Sequence, residues 1–267
     1  MAANRHARLG PSSSDIWLQC QAAPGEWAKR PPRRAGMAAH EGILAHTLCE
    51  AAIRLNQAKW TPGTKFNVDG VEVEITTEML DCVRLYLGVV SRISDVCYWR
   101  NIEHEVSLAW LWEAREPPEE VFGTLDFCAS DGVTLYIVDF KFGRGKFVKV
   151  DGNTQLLCYA LGALEQLQLE RPDLHRTLEN VCLVIVQPRA GGDPVRNWSL
   201  SVADLLYWGY SVLKPAVDVI NNGGAPLVPG NHCFWCAASV DCPAYLALRT
   251  KASTASFPEW VEEEELI

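Results

Sequence analysis

The chain has no stretch long and uncharged enough to cross a bilayer as a helix, which argues against an integral helical membrane protein. No apolar run follows the basic residues of its opening Met-Ala-Ala-Asn-Arg-His-Ala-Arg, so a secretory leader is not expected and the reading is a cytoplasmic protein. No internal repeat at solenoid periods is visible, which sets repeat architectures aside. Positive charge is also in deficit: 24 Lys and Arg stand against 33 Asp and Glu, a net charge of −9. That balance argues against indiscriminate coating of nucleic acid, although a local basic channel remains compatible with it. What the chain does have is 48% hydrophobic residues and ten cysteines in 267 positions. The first supports a sizeable core. The second, without a leader, points to a reducing compartment with thiols that are buried, free or metal-bound.

Local patterning predicts an α/β chain. A short helix capped within Ser12-Ser13-Ser14-Asp15 carries Ile16, Trp17, Leu18 and Cys20. Helical periodicity runs over residues 37–58 and 78–99, and again over 154–169 behind an Asn153 or Thr154 cap, and over 202–220. Residues 60–70 read as turns, and strands are expected at 71–75, 102–108 and 147–150. Residues 181–186, Val-Cys-Leu-Val-Ile-Val, form an apolar run suited to a central strand. The expected architecture is one domain with a mixed central sheet flanked by helices. Its core spans about residues 37–220, a cysteine-rich closure at 221–250 joins the segment 15–36, and 251–267 is an acidic tail.

The centre of the pattern is a β-hairpin over residues 121–129 and 133–140, with Asp131-Gly132 as a two-residue turn. That turn pairs Ser130 with Val133 and sets Asp126 opposite Ile137. Alternation then puts Asp126, Ile137, Asp139 and Lys141 on one face, with the two aspartates diagonal neighbours roughly 7–8 Å apart at Cα. Two carboxylates and a lysine on one face of a largely apolar hairpin are costly unless a cation binds there. The plain alternative is that each acid sits at a strand end and meets solvent.

Neighbouring motifs extend this reading. Gly42-x-x-x-His46 lies on the first long helix, Gly123-Thr-Leu-Asp126 and Asp139-Phe-Lys141 lie on the hairpin, and Gln155-x-x-x-Tyr159 lies on the helix after it. The set resembles the RecB-like branch of the PD-(D/E)xK nuclease superfamily, in that branch's motif order. The resemblance implies a restriction-endonuclease-like core with His46, Asp126, Asp139 and the backbone carbonyl of Phe140 as ligands of Mg²⁺ or Mn²⁺. It makes Lys141 the catalytic lysine and lines the substrate strand with Gln155 and Tyr159. Glu103 or Glu105 would assist from the adjoining strand. Arg144, Lys146 and Lys149, in a basic window without acids, fall where a phosphate backbone would pass, though a solvated loop is the plain reading for each.

Cys233-x2-Cys236-x5-Cys242 is one ligand short of a four-thiolate site. With Cys20 far upstream, the order resembles the iron–sulfur nucleases of the same branch, AddB-type helicase-nucleases and the CRISPR-adaptation nucleases among them. In those, one cysteine before the core and three after it hold a [4Fe–4S] cluster. Zn²⁺ on the same thiolates, or metal-free thiols, remain open. Cys49, Cys82, Cys97, Cys128, Cys158 and Cys182 fall at apolar-periodic positions and read as small buried hydrophobes.

The expected activity is metal-dependent hydrolysis of DNA phosphodiesters, with an exonuclease of the phage-encoded RecB-like kind as first reading. Single-stranded DNA or a duplex end is the expected substrate. A single-strand-annealing or replication protein is a possible partner. The alternatives are a structure-specific endonuclease and a non-hydrolysing DNA-end-binding module of a recombination complex.

Overall fold

The computed structural model describes residues 7–31, 35–55, 59–112 and 121–256. Residues 32–34, 56–58 and 113–120 and the part of the expected acidic tail beyond 256 lie outside the described residues. The helices are α1 (Ser14–Trp17), α2 (Ala23–Ala28), α3 (Met37–Leu55), α4 (Thr77–Ser94) and α5 (Thr154–Glu170), followed by α6 (Pro172–His175), α7 (Val202–Trp208), α8 (Lys214–Asn222) and α9 (Pro243–Ser256). The strands are β1 (Lys65–Val68), β2 (Val71–Glu74), β3 (Trp99–Ser107), β4 (Phe122–Ser130), β5 (Thr134–Phe140), β6 (Asn180–Val186) and β7 (Val195–Ser201). The chain divides into two compact units, one of Met1–Ser14 with Arg34–Pro215, the other of Asp15–Arg33 with Ala216–Ile267.

The first unit is an α/β fold around a five-stranded sheet of order β3-β4-β5-β6-β7. Neighbours run antiparallel except β5 and β6, which are parallel and connected through α5. Phe127, Ala129, Val138, Phe140, Val184 and Val186 share a core with Leu44 and Leu48 of α3 and Val83 and Val90 of α4. The intervening residues of these strands face the other side, where α5 packs on β3, β4, β5 and β6. α5 comes so close to β3 that a side chain at Gly162 would put its Cβ 2.5 Å from that of Val106. The caps follow the expected chemistry: Thr76 Oγ1 accepts from Met79 N at 3.0 Å, and Asn153 Oδ1 accepts from Leu156 N at 3.1 Å.

Three expectations are corrected. The hairpin pairs Ser130 with Leu135 and Phe127 with Val138, so the register is two residues away from the one a two-residue turn would give. Side chains impose this: Ser130 Oγ accepts from Gly132 N, and Asp131 Oδ1 accepts from both Val133 N and Thr134 N. A slip of two preserves the faces, and continuing the register brings Asp126 across from Asp139 rather than Ile137. Residues 147–150 form no strand, because side chains take their polar groups: Val148 N donates to Gln187 Oε1 and Val148 O accepts from Arg196 Nη2. Within the expected turn at 60–70, residues Lys65–Val68 form β1 and pair with β2.

The second unit gathers α2, α9 and the two segments that bear the four cysteines. Ile16, Cys20, Ala23, Cys236, Ala238 and Cys242 form its apolar cluster, and Arg30 bridges to Asp241 at 2.6 Å.

Candidate metal centre and cysteine cluster

In the first unit an open cleft is lined by Gly42 and His46 of α3, Glu103 of β3, and Phe140, Lys141 and Gly143 at the end of β5. Gly42 lines the cleft one helical turn before His46, and a side chain there would meet nothing within 4 Å. His46 Nδ1 lies 3.2 Å from Asp126 Oδ1 and 3.8 Å from Glu103 Oε1. Among the described residues, His46, Glu103 and Asp126 form the group of metal-ligating atoms lying within 4.8 Å of one another. Asp126 Oδ2 accepts the main-chain N–H of Phe140 at 2.6 Å.

Asp139 stands apart from that trio. It is 2% exposed and engaged by the other motif residues: Lys141 Nζ lies 3.0 Å from Oδ2 and 3.2 Å from Oδ1. Gln155 Nε2 donates to Asp139 Oδ1 at 3.2 Å, and Gln155 Oε1 accepts from Lys141 Nζ at 2.9 Å. The Tyr159 hydroxyl accepts from Gln155 Nε2 at 3.2 Å. The fold therefore brings all the motif residues to one end of the sheet, in two linked groups. Oδ2 of Asp139 is buried and, despite the nearby ammonium, has no hydrogen bond of good geometry.

The charges explain the protonation tendencies. Three carboxylates face one ammonium and one imidazole. Burial raises the Asp139 carboxyl to about 6, with the Lys141 ammonium opposing and the Asp126 charge reinforcing the shift. Burial also raises Glu103, against the pull of His46. For His46 burial favours the neutral ring, yet the Asp126 charge and hydrogen bond prevail and hold it well above the usual imidazole range. Asp126 is correspondingly lowered: its burial is outweighed by His46, the Phe140 N–H and Lys141. Without a cation, His46 and Asp126 thus form an ion pair.

Arg144, Lys146 and Lys149 are exposed on the loop after Lys141, and Arg144 is paired with Glu78 of α4. Sequence reasoning missed Gln187, 1% exposed at the end of β6, which donates to Lys146 O at 2.7 Å and so holds this loop. Its only sequence signal is a polar residue ending the apolar run of β6. Glu105, two residues beyond Glu103, is exposed.

In the second unit Cys20, Cys233, Cys236 and Cys242 are buried and line one small cavity. Three of the sulfurs receive N–H donors: Trp27 Nε1 to Cys236 at 3.2 Å, Gly230 N to Cys233 at 3.4 Å and Val228 N to Cys20 at 3.5 Å. Burial raises the Cys233 thiol, and the other three cysteines add to the shift. Of the other cysteines, Cys49, Cys82, Cys128 and Cys158 are buried, and Cys97 and Cys182 are half-buried.

No helix among the described residues is long and apolar enough to cross a membrane. This chain is similar to a solved structure titled "Crystal structure of SSO0001", at 14% identity over 87% of this chain and 96% of that one, with a TM-score of 0.33. The family described as "Protein of unknown function (DUF2800)" matches residues 6–266, and the chain belongs to it.

Proposed function

We propose that the first unit is a restriction-endonuclease-like core that hydrolyses DNA phosphodiesters with a divalent cation, acting as an exonuclease in phage replication or recombination. The observation that carries this reading is the meeting of His46, Glu103 and Asp126 in an open cleft beside the buried Asp139 and its Lys141 partner. The donor set fits a hard or borderline cation: carboxylates with one imidazole suit Mg²⁺ or Mn²⁺, and the surplus of negative charge is relieved when one binds. His46, Asp126 and Asp139 would hold it, with the carbonyl of Phe140. Such an ion supplies Lewis-acid polarisation of a phosphoryl oxygen and a bound water of lowered pKa. The ammonium of Lys141 would stabilise charge developing on the scissile phosphate. Gln155 keeps Lys141 and Asp139 in register and is itself held by Tyr159. Arg144, Lys146 and Lys149 would neutralise neighbouring phosphates of a single strand or a duplex end.

The four cysteines would hold a [4Fe–4S] cluster. Their burial around one cavity and the N–H donors on three sulfurs support this assignment. Its place is structural: it would tie the segment bearing Cys20 to the one bearing Cys233, Cys236 and Cys242.

The test is a cleavage assay with Mn²⁺ on end-labelled linear and circular DNA. Linear DNA is degraded from its ends and circular DNA is spared, while Asp139→Ala and Lys141→Ala abolish cleavage without changing the circular dichroism spectrum. Cleavage of the circle favours an endonuclease. Binding of ends without cleavage under any divalent cation favours the end-binding module.

A further inference from the structure

α3 carries His46, Glu50 and Arg54 at four-residue intervals, so their side chains rise along one face of the helix. His46 enters the cleft. Arg54, two turns on, pairs through Nε with Glu50 Oε1 at 2.8 Å. Its guanidinium also turns to the backbone of β3, where Nη2 donates to the carbonyl of Ile102 and reaches that of Glu103 at 3.5 Å.

The carbonyl pair that Arg54 holds belongs to an unusual piece of strand. Glu103 has a φ of 42° and is, with Asp69, one of the described non-glycine residues with positive φ. Asp69 lies in the tight turn between β1 and β2, where such a conformation is ordinary. Glu103 lies inside a strand. Ladder pairing continues on both sides of it, Ile102 with Phe127 and His104 with Leu125, in one unbroken register. No residue is inserted, so the conformation does not arise from a bulge. A left-handed backbone is strained for a glutamate, whose Cβ crowds the following carbonyl, and the surroundings must hold it there. The conformation coincides with a carboxylate 3.8 Å from His46 Nδ1 and grouped with Asp126 across the strand pair.

We propose that Glu103 is a ligand of the divalent cation in this cleft and that Arg54 is its positioning residue, holding the backbone of β3 in the conformation that delivers the carboxylate. The proposal rests on the reading that the site takes such a cation. α3 then serves the centre twice, supplying one ligand through His46 and orienting a second through Arg54. The trio completes a three-donor face of one imidazole and two carboxylates, with Asp139 on the Lys141 side of the site. A plain ion pair between His46 and Glu103 explains their proximity but not the left-handed backbone or the guanidinium that holds it.

Mn²⁺ titration of the metal-stripped full chain by calorimetry, with electron paramagnetic resonance of free Mn²⁺ as second readout, tests this without reference to cleavage. Glu103→Gln is isosteric and removes one of three clustered negative charges, so the variant folds. Its Mn²⁺ affinity is expected to fall on the order of a hundredfold, while Glu105→Gln, on the exposed neighbour, leaves affinity unchanged. Arg54→Met is expected to weaken Mn²⁺ about tenfold, the range for groups that orient a ligand. Arg54→Lys does not rescue it, because an ammonium lacks the fork that spans two carbonyls and Glu50. Glu103→Gln that binds Mn²⁺ like wild type overturns the ligand assignment. Arg54→Met that melts earlier but binds Mn²⁺ normally overturns the positioning role. Wild-type protein that binds no Mn²⁺ refutes the cation site itself, a different result from either.

Discussion

Asp126 joins the two arms of the hairpin through its side chain: Oδ2 accepts the main-chain N–H of Phe140 at 2.6 Å, while Oδ1 faces His46 Nδ1 at 3.2 Å. One oxygen is structural and the other is available to a cation once His46 gives up its proton. Asp126→Asn can still present an oxygen to Phe140, whereas Asp126→Ala leaves that buried N–H without an acceptor, at a cost of about 1–3 kcal/mol. Both variants lose the His46 ion pair and both are expected to lose Mn²⁺ binding. Urea unfolding should therefore rank Ala below Asn by that amount. Equal stabilities would show that the Phe140 bond contributes nothing.

The buried carboxyl of Asp139 makes stability depend on pH. Its value in the folded chain is about 6 against an ordinary 3.8, burial being the main cause. The folded state thus holds this proton more tightly than the unfolded one. The stabilisation is complete below about pH 4 and is lost as pH rises through about 6, amounting to about 3 kcal/mol. Without divalent cations, the difference in unfolding free energy between wild type and Asp139→Asn should shift by about that much between pH 4 and 7. A difference constant over that range would refute the raised value. Protons would compete with a cation for the same oxygens, so wild-type Mn²⁺ affinity should decline below about pH 6.

Much of this centre was legible because strand alternation has period two. The two-residue turn expected at Asp131-Gly132 gave the wrong partners, yet the actual slip was also two, so Asp126 and Asp139 stayed on one face. The turn was misread because Ser130 and Asp131 engage backbone N–H groups with their side chains, an option a dipeptide rule omits. β7 went unseen: Val-Arg-Asn-Trp-Ser-Leu-Ser is a half-exposed edge strand without a clean apolar alternation. Glu103 was legible only as an alternative to Glu105, since alternation puts both on one face, and periodicity assumes extended backbone where this residue is left-handed. Residues 147–150 look like a strand by composition, but their backbone partners are the side chains of Gln187 and Arg196.

The cysteine unit yields a spectroscopic prediction. Protein purified without oxygen should be brown, with broad absorbance near 400 nm and about four irons per chain. Cys236→Ala should lose both. Trp27→Phe keeps the packing but removes the indole N–H from the Cys236 sulfur, 3.2 Å away. That donor stabilises the more negative, reduced state, so the variant should retain its iron and show a lower reduction potential. Colourless protein with one zinc per chain would refute the cluster.

Gln187 links β6 to the basic loop, and this separates loop shape from loop charge. Its amide donates to Lys146 O at 2.7 Å and accepts from Val148 N at 3.0 Å and Arg196 Nη2 at 2.9 Å. Arg196 also lies 4.3 Å over the Phe147 ring. Gln187→Leu strips partly buried backbone groups of their partners, so stability should fall by about 1 kcal/mol or somewhat more. DNA affinity should fall with it while Mn²⁺ affinity holds, because His46, Glu103 and Asp126 do not touch this loop's anchor. Lys149→Gln should leave stability unchanged and reduce the salt dependence of duplex binding by about one phosphate contact. If both variants bind DNA like wild type at every salt concentration, the phosphate path does not follow this loop, since either its shape or its charge would have to matter to a backbone passing there.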